Sequence, residues 1–414
     1  MHTISTGLIK QELDHYKGLP HKARLLVSAY NLRSIAEPIL SLFINAYIWR
    51  TTTSIMLVLV YSLGYFFALP LGFLFNGKLL KKFSIAKTHF IGNILSTLGA
   101  MSVIIFHSTS GIYLLVFGII YGLGNGVYWS SRNYLSYQET NSKTRTYFFS
   151  IVSATGSMIT IITSFSIGWI IAFSDISKLY SAFVAYIGVG IVAIISLFFA
   201  GLVLLKSDFK TPKVIKIWHP VISKHWNIVR VVNVSVGLFE AIASTICTLL
   251  ILNFLGKEET LGTIGAIIGI FTIALYYLYG RLSKRNHHKK IFFVVLLISV
   301  VLASILALGN NNFTVLIYVL LSGLPVSFYW MIFDPWQWNI MDEELGQSEP
   351  EKYPLIVDAE IFLNIGRISG VLIFMSLVYF LSDQIALRII PLVLSSLQIF
   401  LFVIIWKRIS WKKI

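Results

Sequence analysis

The sequence predicts an all-α membrane protein of twelve transmembrane helices in two pseudo-symmetric six-helix bundles, with both termini cytoplasmic. Three observations lead there. The composition suits a chain dissolved in lipid: of 414 residues 56% are hydrophobic and 12% charged, with a mean hydropathy of +0.78. The apolar residues come in runs long enough to cross a bilayer, which takes about 20 residues at about 1.5 Å each. The runs also repeat across the midpoint of the chain. Backbone groups in lipid must be satisfied within the segment, so such runs are helices. They are too long and continuous for barrel strands.

Taken in order, the predicted spans are 23–49, 53–76, 86–107, 111–138, 146–173, 179–205, 227–254, 261–282, 290–309, 313–340, 353–381 and 385–406. Loop charge orients them. Basic residues crowd the N-terminal segment (Lys10, Lys17, Lys22, Arg24) and then alternate connections: Lys78, Lys81, Lys82 and Lys87; Lys143 and Arg145; Lys206, Lys210, Lys213, Lys216 and Lys224; Arg281, Lys284, Arg285, Lys289 and Lys290. The tail adds Lys407, Arg408, Lys412 and Lys413, whereas the intervening loops hold only Arg50, Lys178, Lys257 and Arg388. That places the basic side in the cytoplasm and requires an even helix count. The segment 341–353 is the exception, an acidic cytoplasmic loop with Asp342, Glu343, Glu344, Glu349 and Glu351. The net charge of +15 follows this topological pattern and does not point to nucleic acid. The first twenty or so residues are polar and mixed in charge, so the first helix is expected to act as an uncleaved signal. The single cysteine, Cys247, excludes an intramolecular disulfide.

The longest connection, 206–225, divides the chain into expected bundles at 1–205 and 226–414. Three motifs recur across it in the same order. Glu37-Pro-Ile-Leu-Ser41 matches Glu240-Ala-Ile-Ala-Ser244. Gly72-x-Leu74 with Lys81-Lys82 matches Gly280-x-Leu282 with Lys289-Lys290. Gly122, Tyr128-Trp129 and Asn133 match Gly323, Tyr329-Trp330 and Asp334. Two parallel six-helix repeats form a transporter architecture with its site between them.

With these features the chain resembles the major facilitator superfamily of transporters over essentially its whole length. The likeness is to a poorly characterised bacterial branch with Tyr128-Trp129 in the fourth helix and Asn364-Ile-Gly-Arg367 in the eleventh. The superfamily's glycine-x-leucine-x-aspartate-arginine-x-glycine signature after helix 2 reads Gly72-Phe-Leu-Phe-Asn76-Gly-Lys-Leu-Leu-Lys-Lys82 here. The resemblance implies a conformational loop at Gly72, Asn76 and Lys81, and at Gly280, Lys284 and Arg285 in the second copy. Asn76 replaces the family's aspartate and removes the charge its ionic latch uses. The helix-5 glycine-proline motif of drug antiporters and the proline-glutamate signatures of sugar porters are absent. Glycolipid flippases of Gram-positive bacteria are similar in carrying charge in helix 1 and tryptophan in helix 4.

The chemistry rests on ionisable residues inside apolar spans, where each charge costs about 2.5–3.5 kcal/mol on insertion scales. Arg33 and Glu37 are four apart on one face, continued by Tyr30, Ser34, Ser41 and Asn45. They either lock neighbouring helices or line a wet cavity. Glu240 has no basic residue three or four positions away. It is a proton-carrier candidate, or else a neutral carboxyl making one hydrogen bond. Glu360, Asn364 and Arg367 share a face of the eleventh helix, and Arg367 suits pairing with Glu240 or Glu360, or an anionic substrate; Glu37 is the alternative to Glu240 as carrier of the coupling proton. Asp358 sits nearer the cytoplasmic end, solvated or part of that site. Asn125, Tyr128, Trp129 and Arg132 in helix 4, with Tyr329, Trp330 and Asp334 in helix 10, are cavity-wall candidates; the aromatic members also suit interfacial anchors. Pro325 and Pro335 are expected to break helix 10.

No cofactor or metal is expected: His287-His288 lie in a basic loop without acidic or cysteine partners. No phosphate-cradling glycine loop is present, and no enzymatic chemistry is indicated. The expected function is secondary transport of a small solute across the plasma membrane, coupled to protons, by a monomer in the lipid bilayer. A lipid or glycolipid flippase and a non-transporting sensor or assembly protein are the alternatives.

Overall fold

The computed structural model describes residues 14–140, 144–214, 216–218, 223–282, 288–309, 311–345 and 352–405, and Lys284 and Arg285 lie outside them. At Gly280, Tyr329 and Asp334 the backbone alone is described.

Helix α1 consists of His21–Pro38, a π turn at Ile39–Phe43 and Ile44–Thr52. The π turn has an identifiable cause. Pro38 has no N–H to give to the Ser34 carbonyl one turn back, and a mismatch in the ladder follows. Thr160 reaches that carbonyl from another helix, its hydroxyl donating at 3.5 Å. The helix stops at Thr53, which takes a left-handed φ of 49°. Then come α2 (Ile55–Leu79), α3 (Ile85–Ile105), α4 (Gly111–Gln138), α5 (Arg145–Ser177) and α6 (Ala182–Leu205). Helix α7 spans Lys224–Leu250 and ends in its own π turn, Ile251–Leu255. It is followed by α8 (Glu258–Leu282), α9 (His288–Leu308), α10 (Asn312–Leu345), α11 (Lys352–Phe380) and α12 (Asp383–Ile405). Serine hydroxyls cap α2, α3, α6 and α7 by accepting from first-turn amides.

Among the described residues nine helices are long and apolar enough to cross a membrane. Of the rest, α1 carries Arg33, Glu37 and Arg50 along its length, and α10 offers a shorter apolar stretch, Asn312–Gly323. The surface is apolar, with Ile112, Ile176, Phe199, Val301 and Phe400 exposed, whereas Arg33, Asn93, Asn125, Asp358, Asn364 and Arg367 are buried. This inversion of the soluble pattern suits a chain that meets lipid outside and polar groups inside.

Glycines set the closest packing. A Cβ on Gly72 would strike Gly126 and the Leu123 carbonyl of α4. Across α7 and α11, a Cβ on Gly237 or Gly366 would meet the facing backbone. Contacts between α1–α6 and α7–α12 run mainly through α2 against α11 and α5 against α8.

Three expectations are corrected here. Helix α2 runs to Leu79, past its predicted end at 76, and α8 runs to Leu282, so Gly72, Asn76 and Gly280 of the implied conformational loops lie inside helices. Helix α10 continues unbroken past Pro325 and Pro335 to Leu345. Asp342, Glu343 and Glu344 are therefore helical, and the acidic loop is shorter than expected. In α2 and α10 polar and charged residues extend the coil beyond the apolar stretch that marked the predicted end.

Candidate functional site

The site is built around two arginines, one on α1 and one on α11. Arg33 is 3% exposed. Its Nη1 donates to Asn93 Oδ1 on α3 at 3.0 Å and its Nη2 to Asn125 Oδ1 on α4 at 2.5 Å. The Tyr128 ring lies under the guanidinium, 3.6 Å from Cζ, a cation–π contact. Nε lies 3.3 Å from Glu37 Oε2, and the Glu37 side chain remains 38% exposed. One carboxylate and three neutral groups thus hold the charge.

Arg367 is held differently. Nε and Nη2 both reach Glu240 Oε2 on α7, at 2.9 and 2.8 Å. Nη1 reaches Glu360 Oε1 at 2.8 Å. Asn364 braces the arrangement by donating to Glu360 Oε1 at 2.7 Å. Glu240 keeps 26% of its side chain exposed and Glu360 14%. The partner that Glu240 lacks on its own helix is supplied by α11.

Tyr65 on α2 connects the two centres. Its phenol is within Coulombic range of Glu37, Glu240, Glu360 and Arg367. It stacks on Tyr121 of α4 with ring centroids 4.8 Å apart, and Tyr121 senses Arg33 and Glu37. Asn45 of α1 also donates to Thr245 of α7, at 3.5 Å. Of the six predicted central residues, Arg33 pairs with Glu37, and Glu240, Glu360, Asn364 and Arg367 form a second bonded group.

The helix-4 candidates share a face with Arg33. Below Asn125 and Tyr128, the Arg132 guanidinium lies 4.6 Å from the Trp129 ring and 4.9 Å from the Tyr30 ring. Tyr30 donates to the Arg132 carbonyl at 3.1 Å. Trp330, by contrast, packs on Phe333, 6.5 Å between centroids, in the apolar core.

Both ends of the helix bundle carry bridges between the first and last six helices. At the end away from the basic loops, Arg50 of α1 grips both oxygens of Glu258 on α8 at 3.0 Å and Asp175 of α5 at 2.7 Å. Tyr186 of α6 donates to Glu258 at 3.0 Å, and Lys257 lies 3.5 Å from Asp175. At the basic end Asn76 donates to Ser130 and Ser131 of α4, at 2.7 and 3.1 Å, and Lys81 is exposed. Tyr353 of α11 donates to the Phe73 carbonyl at 2.8 Å. Lys352 bridges Asp342, at 2.7 Å, and the Tyr137 hydroxyl.

Sequence reasoning missed several of these groups. Asp358 is fully buried, not solvated. It accepts from Arg230 at 2.8 and 2.7 Å, from Trp226 at 2.7 Å and from Trp218 of the central connection at 2.9 Å. Asn93, Tyr65 and Tyr121 were also missed. The available signal was polar residues in otherwise apolar spans, but nothing local names their partners.

The family model of the Major Facilitator Superfamily matches residues 25–352. The chain belongs to that superfamily and is a multi-pass membrane transporter. It is 25% identical over 398 residues to the uncharacterised protein YqgE of Bacillus subtilis strain 168, covering 94% of this chain and 88% of that protein. Two solved structures show the same fold. The transporter FucP in its outward conformation matches with a TM-score of 0.60 and 16% identity, over 94% of this chain and 98% of FucP. The nucleoside transporter NupG matches with a TM-score of 0.66 and 13% identity, over 94% of this chain and all of NupG.

Proposed function

We propose that the protein is a secondary active transporter of the plasma membrane that moves a small solute by alternating access, coupled to protons. In this reading it is a monomer of twelve spans with the basic end cytoplasmic. Its bundles at 1–205 and 226–414 rock about the connection at 206–225, and it catalyses no covalent chemistry.

The observation that carries the coupling is a count of charges. Three carboxylates, Glu37, Glu240 and Glu360, pair with two arginines, Arg33 and Arg367. Among the groups paired with these two arginines one negative charge is left over, and uncompensated charge inside the membrane is costly. A proton compensates it. Glu240 is the carrier best suited, because Glu360 keeps Arg367 paired when Glu240 is neutral. Protonation then loosens the α7–α11 contact from within. The ionic bridge around Arg50 and Glu258 closes one end, and its rupture opens a path to the other side.

A ligand-stability screen across small solutes and lipids supplies the substrate. Flux in proteoliposomes then tests the reading. Glu240→Gln is expected to lose accumulation driven by a pH gradient, while exchange at saturating solute, which needs no net proton movement, persists. Unchanged proton-driven accumulation in that variant removes Glu240 from the coupling role.

A further inference from the structure

The buried polar groups along α1 are electrically lopsided beyond the surplus carboxylate. Arg132 lies at the opposite end of the α1–α4 stripe from Glu37. Its guanidinium is half-buried between the Trp129 and Tyr30 rings, and among the described residues no carboxylate pairs with it. His89 of α3 stands beside the same groups, its ring 5.0 Å from Tyr128 and 6.4 Å from Tyr30. It is fully buried, and both ring nitrogens lack a hydrogen-bond partner. A buried imidazole left unpaired costs about 1–3 kcal/mol, so this group has unused capacity for a ligand. Helices α1 and α4 meet mainly through these side chains and make few close backbone contacts.

We infer that the solute is amphoteric: its anionic group is taken by Arg132 with His89, and its cationic group by the Glu240–Glu360 pair beside Glu37. This inference rests on the transporter reading above. Each end supplies what the other lacks. The Arg132 end has a guanidinium with no acid bonded to it and an imidazole without a partner. The Arg367 end has two acids for one guanidinium. Tyr30 and Glu37 mark the separation, since two helical turns on α1 amount to about 10 Å. Between them the Arg33 charge is balanced by Glu37, and Asn93 and Asn125 take its two terminal nitrogens, so it demands no further charge. The ligand therefore carries an amine or guanidine and a carboxylate or phosphate on the order of 10 Å apart, with an uncharged middle.

The test is thermal stabilisation of the purified full-length protein by glycine, γ-aminobutyrate and ω-aminooctanoate, with the methyl ester and N-acetyl form of the last. The shift is expected to grow with chain length, and each singly charged form is expected to bind at least ten times more weakly than ω-aminooctanoate. Arg132→Gln should abolish the response to the N-acetyl form and spare the ester; Glu240→Gln should do the reverse. Equal responses to singly charged and doubly charged forms, no response to any ω-amino acid, or an unaltered response in Arg132→Gln overturns the inference. Cross-linking of R50C/E258C on a C247S background separates this from the transporter reading. Ligand binding in the expected pattern without any pH- or ligand-dependent change in cross-linking sinks alternating access alone. Cross-linking that responds to pH while the ω-amino acids fail to bind sinks the amphoteric solute alone.

Discussion

Arg33 and Arg367 are buried to similar degrees on helices from opposite halves of the chain, yet they are neutralised by different means. Around Arg33 the partners are mostly dipoles: two asparagine oxygens, a tyrosine face and one half-exposed carboxylate. Around Arg367 they are two carboxylates braced by Asn364. Dipoles do not titrate, so most of the hold on Arg33 persists when Glu37 is protonated. Carboxylates do, so the Arg367 centre can change its grip. The comparison assigns anchoring to α1, α3 and α4, and switching to α7 and α11.

The largest effect that would break this contrast is at Arg367. Arg367→Leu strands Glu240 and Glu360 against each other, and removing one member of a buried ionic group costs about 3–5 kcal/mol. Thermal unfolding in detergent should show that loss, and adding Glu240→Gln should recover part of it. Arg33→Leu strands only neutral acceptors and an accessible carboxylate, so a loss of about 1–3 kcal/mol is expected in the same measurement. A larger loss at Arg33 than at Arg367 would invert the assignment. Glu360→Gln leaves Arg367 paired with Glu240, and a cost of about 1 kcal/mol with a shifted pH dependence of uptake is expected. Glu37→Gln should be the mildest, within about 0.5 kcal/mol, because exposed pairs contribute little. Its effect should appear in solute affinity instead, read from the concentration dependence of exchange.

Much of the fold was legible because lipid leaves the chain few choices. A long apolar run must be a helix, and each predicted span coincides with helical residues in the structure. The Arg33–Glu37 contact was legible from a spacing of four, and the Glu360–Arg367 contact from a shared face. The Glu240–Arg367 contact was one of two pairings Arg367 offered, and only the rotation of α11 against α7, set where Gly237 and Gly366 let the backbones approach, makes it real. Asp358 illustrates the limit. Its depth along α11 suggested water, but Trp218 and Trp226 fold over it from segments more than 130 residues away. Gly72 and Asn76, at the predicted end of the second span, prove to be positions inside α2 that pack on and hydrogen-bond to α4, since charge and polarity mark a membrane boundary without marking a helix end.

By itself the sequence determined the helices, their apolar exteriors and the inventory of buried charge, because backbone hydrogen bonds and the cost of a charge in lipid are local properties of a segment. The tertiary structure decided which carboxylate meets which guanidinium, which asparagines hold Arg33, and that Tyr65 stands between the two centres. Those outcomes depend on how far one helix turns and slides against another. That geometry is settled by close contacts between residues far apart in the chain.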